Sequence, residues 1–150
     1  MRIAVACDHA GFPMKSVVLS VVESLGHQAI DLGTNSQESV DYPDFARKLG
    51  NAIQDGEADR GVFLCGSGVG ASIAANKLRG IYAAVCHDVY SAHQGVEHDR
   101  MNVLCLGARI IGPEIIKELV GAFLKAEIST EERHIRRTNK IRDMEDDCFS

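Results

Sequence analysis

Five short apolar runs alternate with longer amphipathic segments along this chain. Each run has the length of a strand and is rich in Val, Ile, Leu or Ala. The runs cover residues 3–7, 29–32, 62–65, 83–86 and 103–106. The segments between them carry apolar residues at helical spacing, such as Val18, Val22 and Leu25 in the first. This alternation predicts an α/β protein with a three-layer αβα, Rossmann-like fold around a five-stranded parallel sheet.

The length of 150 residues predicts one domain, residues 1–150. Pro113 stands where the fifth helix is expected to begin, because proline fits the first helical position. The third and fourth helices are expected at about 71–78 and 89–97. A C-terminal helix is expected at about 131–144, followed by a short acidic tail in solvent.

Charge and cysteine content restrict the classes of function. The net charge of −5 and the lack of a basic run argue against binding to nucleic acid. No apolar stretch reaches membrane-spanning length, and the N-terminus lacks the pattern of a signal peptide. Five cysteines without a CxxC pair or a zinc-like spacing indicate free thiols and no metal site. A cytoplasmic protein is therefore predicted, with Cys7, Cys86 and Cys105 packed in the core.

The third apolar run ends in Cys65-Gly66-Ser67-Gly68-Val69-Gly70, followed by a helical segment. Glycines at this point let backbone N–H groups approach an anion at the start of a helix. Such surroundings favour the thiolate form of a cysteine, which can act as a nucleophile or base. The other interpretation is an ordinary strand–helix turn with a space-filling cysteine. The pattern G-x-G-x-G differs from the dinucleotide-binding G-x-G-x-x-G.

Polar or titratable residues follow each of the other apolar runs. Ligands of such folds bind at the carboxyl ends of the strands, so these residues are candidates for a site. They include Asp8 and His9 after the first run, Tyr42 after the second and Arg109 after the fifth. Simpler roles remain open, because Asp8 suits a helix cap and Tyr42 suits loop packing. His98 suits the exposed end of a helix, and His27, His87 and His93 are interpreted as structural or surface residues.

Arg133 and Arg137 are four residues apart and share one face of the last helix. Two guanidinium groups on one face suit a phosphate, which accepts paired hydrogen bonds. The alternative is a solvated basic face that pairs with Glu131 and Glu132.

Together these motifs resemble the ribose-5-phosphate isomerase type B family, which also includes the galactose-6-phosphate and allose-6-phosphate isomerases. The resemblance extends over essentially the whole chain. Its marks, in order, are Asp8-His9-Ala10-Gly11, Asp41-Tyr42-Pro43, Cys65-Gly66-Ser67-Gly68-Val69-Gly70, Ile73-Ala74-Ala75-Asn76-Lys77, Leu104-Cys105-Leu106-Gly107-Ala108-Arg109 and Arg133-His134-Ile135-Arg136-Arg137.

The resemblance implies an aldose–ketose isomerase, an intramolecular oxidoreductase that interconverts ribose 5-phosphate and ribulose 5-phosphate through an enediolate. No metal or organic cofactor is expected. Isomerisation of a hexose or tetrose phosphate (allose 6-phosphate, galactose 6-phosphate or erythrulose 4-phosphate) is the alternative. A non-catalytic anion-binding module is a third interpretation, although it leaves Cys65, His98 and the paired arginines unexplained.

The resemblance also implies roles for individual residues. Cys65 would be the base, Ser67 and the loop amides would stabilise the enediolate, and His98, with Asp8 nearby, would assist ring opening. The residues implied in substrate binding are His9, Tyr42, Gly66, Gly68, Val69, Gly70, Asp99, Arg109, Arg133 and Arg137.

Members of the family that this chain resembles work as homodimers or homotetramers with sites at subunit interfaces. The resemblance therefore implies that His98, Asp99 and Arg109 reach the site of a neighbouring subunit. Asp99 departs from the family pattern, which commonly has asparagine after the histidine. An asparagine can donate a hydrogen bond to a sugar oxygen, whereas an ionised aspartate can only accept one. The sequence therefore leaves open which sugar phosphate is preferred.

Overall fold

A computed structural model describes residues 1–150 and contains one parallel sheet of five strands. The strands are β1 (Arg2–Cys7), β2 (Gln28–Asp31), β3 (Arg60–Cys65), β4 (Ala83–Val85) and β5 (Val103–Gly107). They lie in the order β2-β1-β3-β5-β4, and every neighbouring pair is parallel. The predicted five-stranded parallel sheet is therefore confirmed.

Six helices cover this sheet on both faces. They are α1 (Phe12–Ser24), α2 (Tyr42–Gln54), α3 (Val69–Ala75), α4 (Val89–Asp99), α5 (Pro113–Lys125) and α6 (Glu132–Phe149). Proline stands in the first helical turn of α1, α2 and α5, where its fixed φ favours helix initiation. Pro113 begins α5, as its position in the sequence predicts.

The core is divided by the sheet into two apolar layers, because successive side chains of a strand point to opposite faces. On β1, Ile3 and Val5 pack with residues of α1, α4 and α5. Ala4 and Ala6 point the other way and pack with residues of α2 and α3. The three-layer αβα arrangement predicted from the alternating segments is confirmed.

Two helix boundaries differ from the prediction. Helix α3 begins at Val69, directly after Gly68, whose φ of +84° is readily adopted only by glycine. Helix α6 continues to Phe149, so the acidic segment after residue 144 is helical and not a separate tail, although Asp146 and Asp147 are exposed as predicted. Glu145 accepts hydrogen bonds from the Gly80 N–H at 2.8 Å and the Tyr82 hydroxyl at 3.1 Å. These tertiary contacts hold the acidic segment in the helix.

Strand β4 lies at one edge of the sheet and has three residues. The side-chain amide of Asn76 donates to the Ala83 carbonyl at 2.7 Å and accepts from the Ala83 N–H at 2.8 Å. Asn76 follows α3 directly, so this contact also joins the end of α3 to the edge of the sheet. No helix is both long and apolar enough to cross a lipid bilayer.

Candidate active site

A cleft of about 340 Å³ opens at the carboxyl ends of β1, β3 and β5. The chain leaves β1 toward β2 and then returns to form β3 on the other side of β1. Ligands of open α/β sheets bind where the strand order reverses in this way. The residues that line the cleft are Asp8, His9, Ala10, Tyr42, Cys65, Gly66, Ser67, Gly70, Arg109 and Ile110.

Cys65 is the last residue of β3 and lines the cleft, although only 5% of its surface is exposed. The Gly68 N–H donates a hydrogen bond to Cys65 Sγ at 3.0 Å. A Cβ at Gly68 would lie 3.2 Å from the Leu106 carbonyl carbon, so glycine also provides space here. The loop thus aims a backbone donor at the sulfur, as a thiolate requires.

Ser67 is exposed and lines the cleft beside Cys65. Its Oγ accepts a hydrogen bond from the Val69 N–H at 3.3 Å. The amides of Gly68 and Val69 are therefore used by side chains of the loop itself, and neither residue lines the cleft. The N–H groups of Gly66, Ser67 and Gly70, which do line the cleft, have no acceptor within the chain and are the loop donors available to a ligand.

Asp8 and His9 follow β1 and face the same cleft. Asp8 Oδ1 accepts hydrogen bonds from the Ala10 and Gly11 N–H groups at 2.9 and 3.0 Å. Asp8 thus stabilises the turn before α1 and does not cap the helix, whose N-cap is Gly11. No hydrogen bond occupies its Oδ2. The Val40 N–H donates to His9 Nδ1 at 3.2 Å, which leaves His9 Nε2 for other partners.

Arg109 and Tyr42 pack closely against two glycines of the loop. A Cβ at Gly66 would lie 3.3 Å from Arg109 Nη1, and a Cβ at Gly70 would lie 2.8 Å from Tyr42 Cζ. Arg109 forms no ion pair and lines the cleft of its own chain. Its position thus differs from the expectation that it reaches the cleft of a neighbour.

His98 and Asp99 lie far from this cleft in the same chain. Helix α4 starts beside the carboxyl end of β4 and runs back along the sheet for 11 residues, which is about 16 Å. His98 is near its far end, where its ring stacks on His134 with centroids 4.0 Å apart. The Gln94 side-chain nitrogen lies 2.9 Å from His98 Nδ1 and 3.3 Å from Asp99 Oδ2.

Arg133 and Arg137 lie on α6, which contacts the same end of α4. The Ser129 N–H donates to the Glu97 carbonyl at 2.9 Å, which holds the chain before α6 against α4. Arg133 Nε lies 2.9 Å from a Glu131 carboxylate oxygen, as the surface-pairing interpretation expects, whereas Arg137 forms no ion pair. We call His98, Asp99, Arg133 and Arg137 the distal group, since none of them lines the cleft.

The other strand cysteines are buried, as predicted. Burial raises the pKa of Cys7 and of Cys86 to about 11. Burial also raises the pKa of Cys105, which has no exposed surface. These thiols stay protonated near neutral pH, and Cys65 is the one cysteine that lines the cleft. No group of three or more His, Cys, Asp or Glu side chains is arranged to hold a metal ion.

The sequence indicated no site role for three residues that lie near the cleft. Ile110 lines the cleft directly after Arg109. His87 Nε2 accepts the Gly107 N–H at 3.0 Å and supports the end of β5, which agrees with its structural interpretation. Lys15 is buried although it is charged. Its spacing of three and seven residues from Val18 and Val22 would have assigned it to the buried face of α1.

This chain is similar to known proteins over nearly its whole length. Residues 3–141 match the model of the family described as Ribose/Galactose Isomerase. The ribose-5-phosphate isomerase B of Escherichia coli (strain K12) is 43% identical over 140 residues, which cover 93% of each chain.

Two solved structures of similar proteins extend the likeness to three dimensions. The ribose-5-phosphate isomerase B of Clostridium thermocellum is 43% identical with a TM-score of 0.95, and the match covers 100% of both chains. The Mycoplasma genitalium protein of the same name, solved with bound ribulose-5-phosphate, is 35% identical with a TM-score of 0.90. That match covers 97% of this chain and 96% of the other. Because sequence and fold agree over nearly the whole length, this chain belongs to the Ribose/Galactose Isomerase family.

Proposed function

We propose that this protein is an aldose–ketose isomerase that interconverts ribose 5-phosphate and ribulose 5-phosphate through an enediolate. The main support is the position of Cys65 Sγ in a cleft that also holds an acid, Asp8, and a cation, Arg109. The likeness to ribose-5-phosphate isomerase B over 93% of the chain supports the same substrate. The five free cysteines further support action in the reducing cytoplasm.

In the proposed reaction, the Cys65 thiolate removes the proton from C2 of the open-chain aldose. The C2–H bond breaks and an S–H bond forms. The electron pair of the C2–H bond becomes the C1=C2 double bond, and the π electrons of C1=O move to O1, which becomes negatively charged. The thiol then returns the proton to C1, while the hydroxyl proton of O2 passes to O1 to complete the ketose. No oxidant is needed, because one carbon is oxidised as its neighbour is reduced.

The charge on the enediolate needs hydrogen-bond donors. Ser67 supplies a side-chain hydroxyl and a free backbone N–H at the cleft. Donors held in place before the reaction stabilise the transition state, and loss of one typically lowers the rate by about 10²–10³-fold. Ser67, together with the free Gly66 and Gly70 N–H groups, therefore takes this role instead of the Gly68 and Val69 amides, which already have acceptors.

We further propose that two copies of the chain form a homodimer with shared sites. The cleft and the distal group lie at opposite ends of α4, so one chain cannot bring His98 to its own Cys65. A two-fold symmetric dimer gives each cleft the distal group of the other copy. In that arrangement His98 serves ring opening, and Arg133 and Arg137 bind the phosphate of the substrate held by His9 and Arg109.

Loss of a phosphate-binding arginine should weaken substrate binding. We expect Arg133→Ala and Arg137→Ala each to raise KM by about 10- to 100-fold, since a hydrogen bond to a charged group contributes about 1.5–3 kcal/mol. Turnover at saturation should change much less, because the arginines contact a group that does not react. Steady-state kinetics with ribose 5-phosphate measures both constants.

Arg136→Ala is the matched control, because Arg136 lies on the same helix between the two arginines and reaches Glu132 at 4.0 Å. Its KM should equal that of the unchanged protein. An unaltered KM in both Arg133→Ala and Arg137→Ala would exclude the proposed phosphate clamp.

A panel of pentose, hexose and tetrose phosphates tests the substrate. We expect the highest kcat/KM with ribose 5-phosphate and a lower value with allose 6-phosphate, galactose 6-phosphate and erythrulose 4-phosphate. If kcat/KM were higher for a hexose or tetrose phosphate than for ribose 5-phosphate, the proposed reaction would stand, but the proposed substrate would be wrong. If none of these sugar phosphates exchanged its C2 proton with solvent, a non-catalytic anion-binding module would be favoured.

Asp99→Asn should be assayed on the same panel. The Asp99 carboxylate already accepts from Gln94 and offers a sugar hydroxyl an acceptor only. An asparagine adds a donor, so a change in the order of preference would assign Asp99 a part in sugar selection.

A further inference from the structure

A buried lysine with no part in the proposed chemistry lies beneath the connection between β2 and α2. Only 6% of the surface of Lys15 is exposed. Its Nζ lies 2.9 Å from Asp31 Oδ2 and donates to the Thr34 carbonyl at 2.8 Å and to Asn35 Oδ1 at 2.9 Å. All three ammonium protons thus have acceptors, as a buried charge requires.

All three partners of Lys15 lie where β2 ends, because Asp31 is the last residue of β2 and Thr34 and Asn35 follow it. We call residues 31–41, from the end of β2 to the start of α2, the 31–41 connection. The packing there is tight, because a Cβ at Gly33 would lie 2.6 Å from Cys7 Sγ and 3.0 Å from Lys15 Cδ. Lys15 belongs to α1, which follows the cleft residues of β1 directly. The lysine therefore fixes the start of the connection to the same part of the chain that carries Asp8 and His9.

The other end of the connection contacts the cleft. The Val40 N–H donates to His9 Nδ1 at 3.2 Å, and Tyr42 begins α2 beside Gly70. A backbone N–H only donates, so His9 Nδ1 must be the acceptor. In the neutral imidazole the proton then resides on Nε2, which is free to donate to a ligand.

We propose that Lys15 is a positioning residue for the sugar-phosphate site. It holds the 31–41 connection in the place where Val40 fixes the orientation and tautomer of His9. The inference rests on the proposed function in one respect, namely that His9 Nε2 binds the substrate phosphate. Lys15 itself contacts no substrate.

Lys15→Met tests this role, because methionine keeps most of the apolar stem and removes the ammonium group. The Asp31 carboxylate left behind has 39% of its side chain exposed, so water can solvate it and the variant should fold. We expect KM for ribose 5-phosphate to rise by about 10-fold through the weakened phosphate contact. The value of kcat should fall much less.

A double-mutant cycle separates positioning from general loosening of the structure. If Lys15 acts through His9, Lys15→Met should change KM by less than about 2-fold in a His9→Ala background. An equal rise in KM in both backgrounds would overturn the proposal, because Lys15 would then act independently of His9.

Amide hydrogen exchange gives a measurement that needs no activity. The Val40 N–H should exchange faster in Lys15→Met, whereas the Gly68 N–H, on Cys65, should keep its exchange rate. Unchanged exchange at Val40 would refute the role of Lys15 even if KM rose. If the unchanged protein isomerised no sugar phosphate, the proposed function would fail, and exchange at Val40 would still decide whether Lys15 holds the connection.

Asn35→Ala is the second variant, in case Lys15→Met does not fold. It removes one exposed acceptor and leaves the ammonium paired with Asp31 and Thr34. We expect a smaller rise in KM and a smaller increase in Val40 exchange. Wild-type values for both quantities in Asn35→Ala would also contradict the proposal.

Discussion

Cys65→Ala should lower kcat by about 10²–10⁴-fold, the usual contribution of a positioned general base. The fold should survive, because alanine fits the space of a cysteine and Sγ accepts one backbone N–H, from Gly68. Isomerase assays measure the loss of turnover, and urea unfolding measures the free energy of unfolding. We expect binding of ribose 5-phosphate to persist, since the phosphate contacts lie elsewhere in the site.

Cys105→Ala is the matched control for this experiment. Cys105 lies on the neighbouring strand β5, faces the same apolar layer as Cys65 and is fully buried. The substitution should reduce stability slightly and leave kcat at the wild-type value. If Cys65→Ala kept more than about a tenth of the wild-type kcat, Cys65 would not be the general base.

Mixing two inactive variants should restore isomerase activity. Cys65→Ala damages the cleft, and His98→Ala damages the distal group, so each homodimer has two defective sites. In a mixed dimer, one site combines the intact Cys65 of one copy with the intact His98 of the other. Random exchange of subunits in a two-fold dimer should therefore restore about a quarter of the wild-type activity.

Ser67→Ala provides the control pair for subunit mixing. Ser67 lines the same cleft as Cys65, so a dimer of Cys65→Ala with Ser67→Ala contains no intact site. That mixture should stay as inactive as its parents. Recovery in the control pair, or no recovery in the Cys65→Ala and His98→Ala mixture after proven subunit exchange, would contradict shared sites.

The sequence was sufficient to predict the sheet and the cleft residues that follow its strands. The carboxyl ends of parallel strands meet at one edge, so Asp8, Cys65 and Arg109 come together although they are distant in sequence. Apolar residues at helical spacing also indicated where the helices lie. The resemblance to a known family supplied the residue roles that spacing alone left open.

Features that depend on distant contacts were not predictable. Glu145 belongs to a strongly acidic segment, and its partner Gly80 lies 65 residues earlier in the chain. The helical spacing of Lys15 indicates a buried position, but the acceptors that allow its charge to be buried, Asp31 and Asn35, are brought to it only by the fold. The separation of His98 from the cleft follows from the length and direction of α4, which the residue types alone do not reveal.

The contact between Asn76 and Ala83 has a consequence for how copies of the chain meet at high concentration. An exposed sheet edge offers unpaired N–H and C=O groups that can recruit a strand from another molecule and start a fibre. Here one side-chain amide occupies both groups of Ala83 in the way a neighbouring strand would. The asparagine thus leaves neither group of Ala83 free to pair with a strand of another molecule.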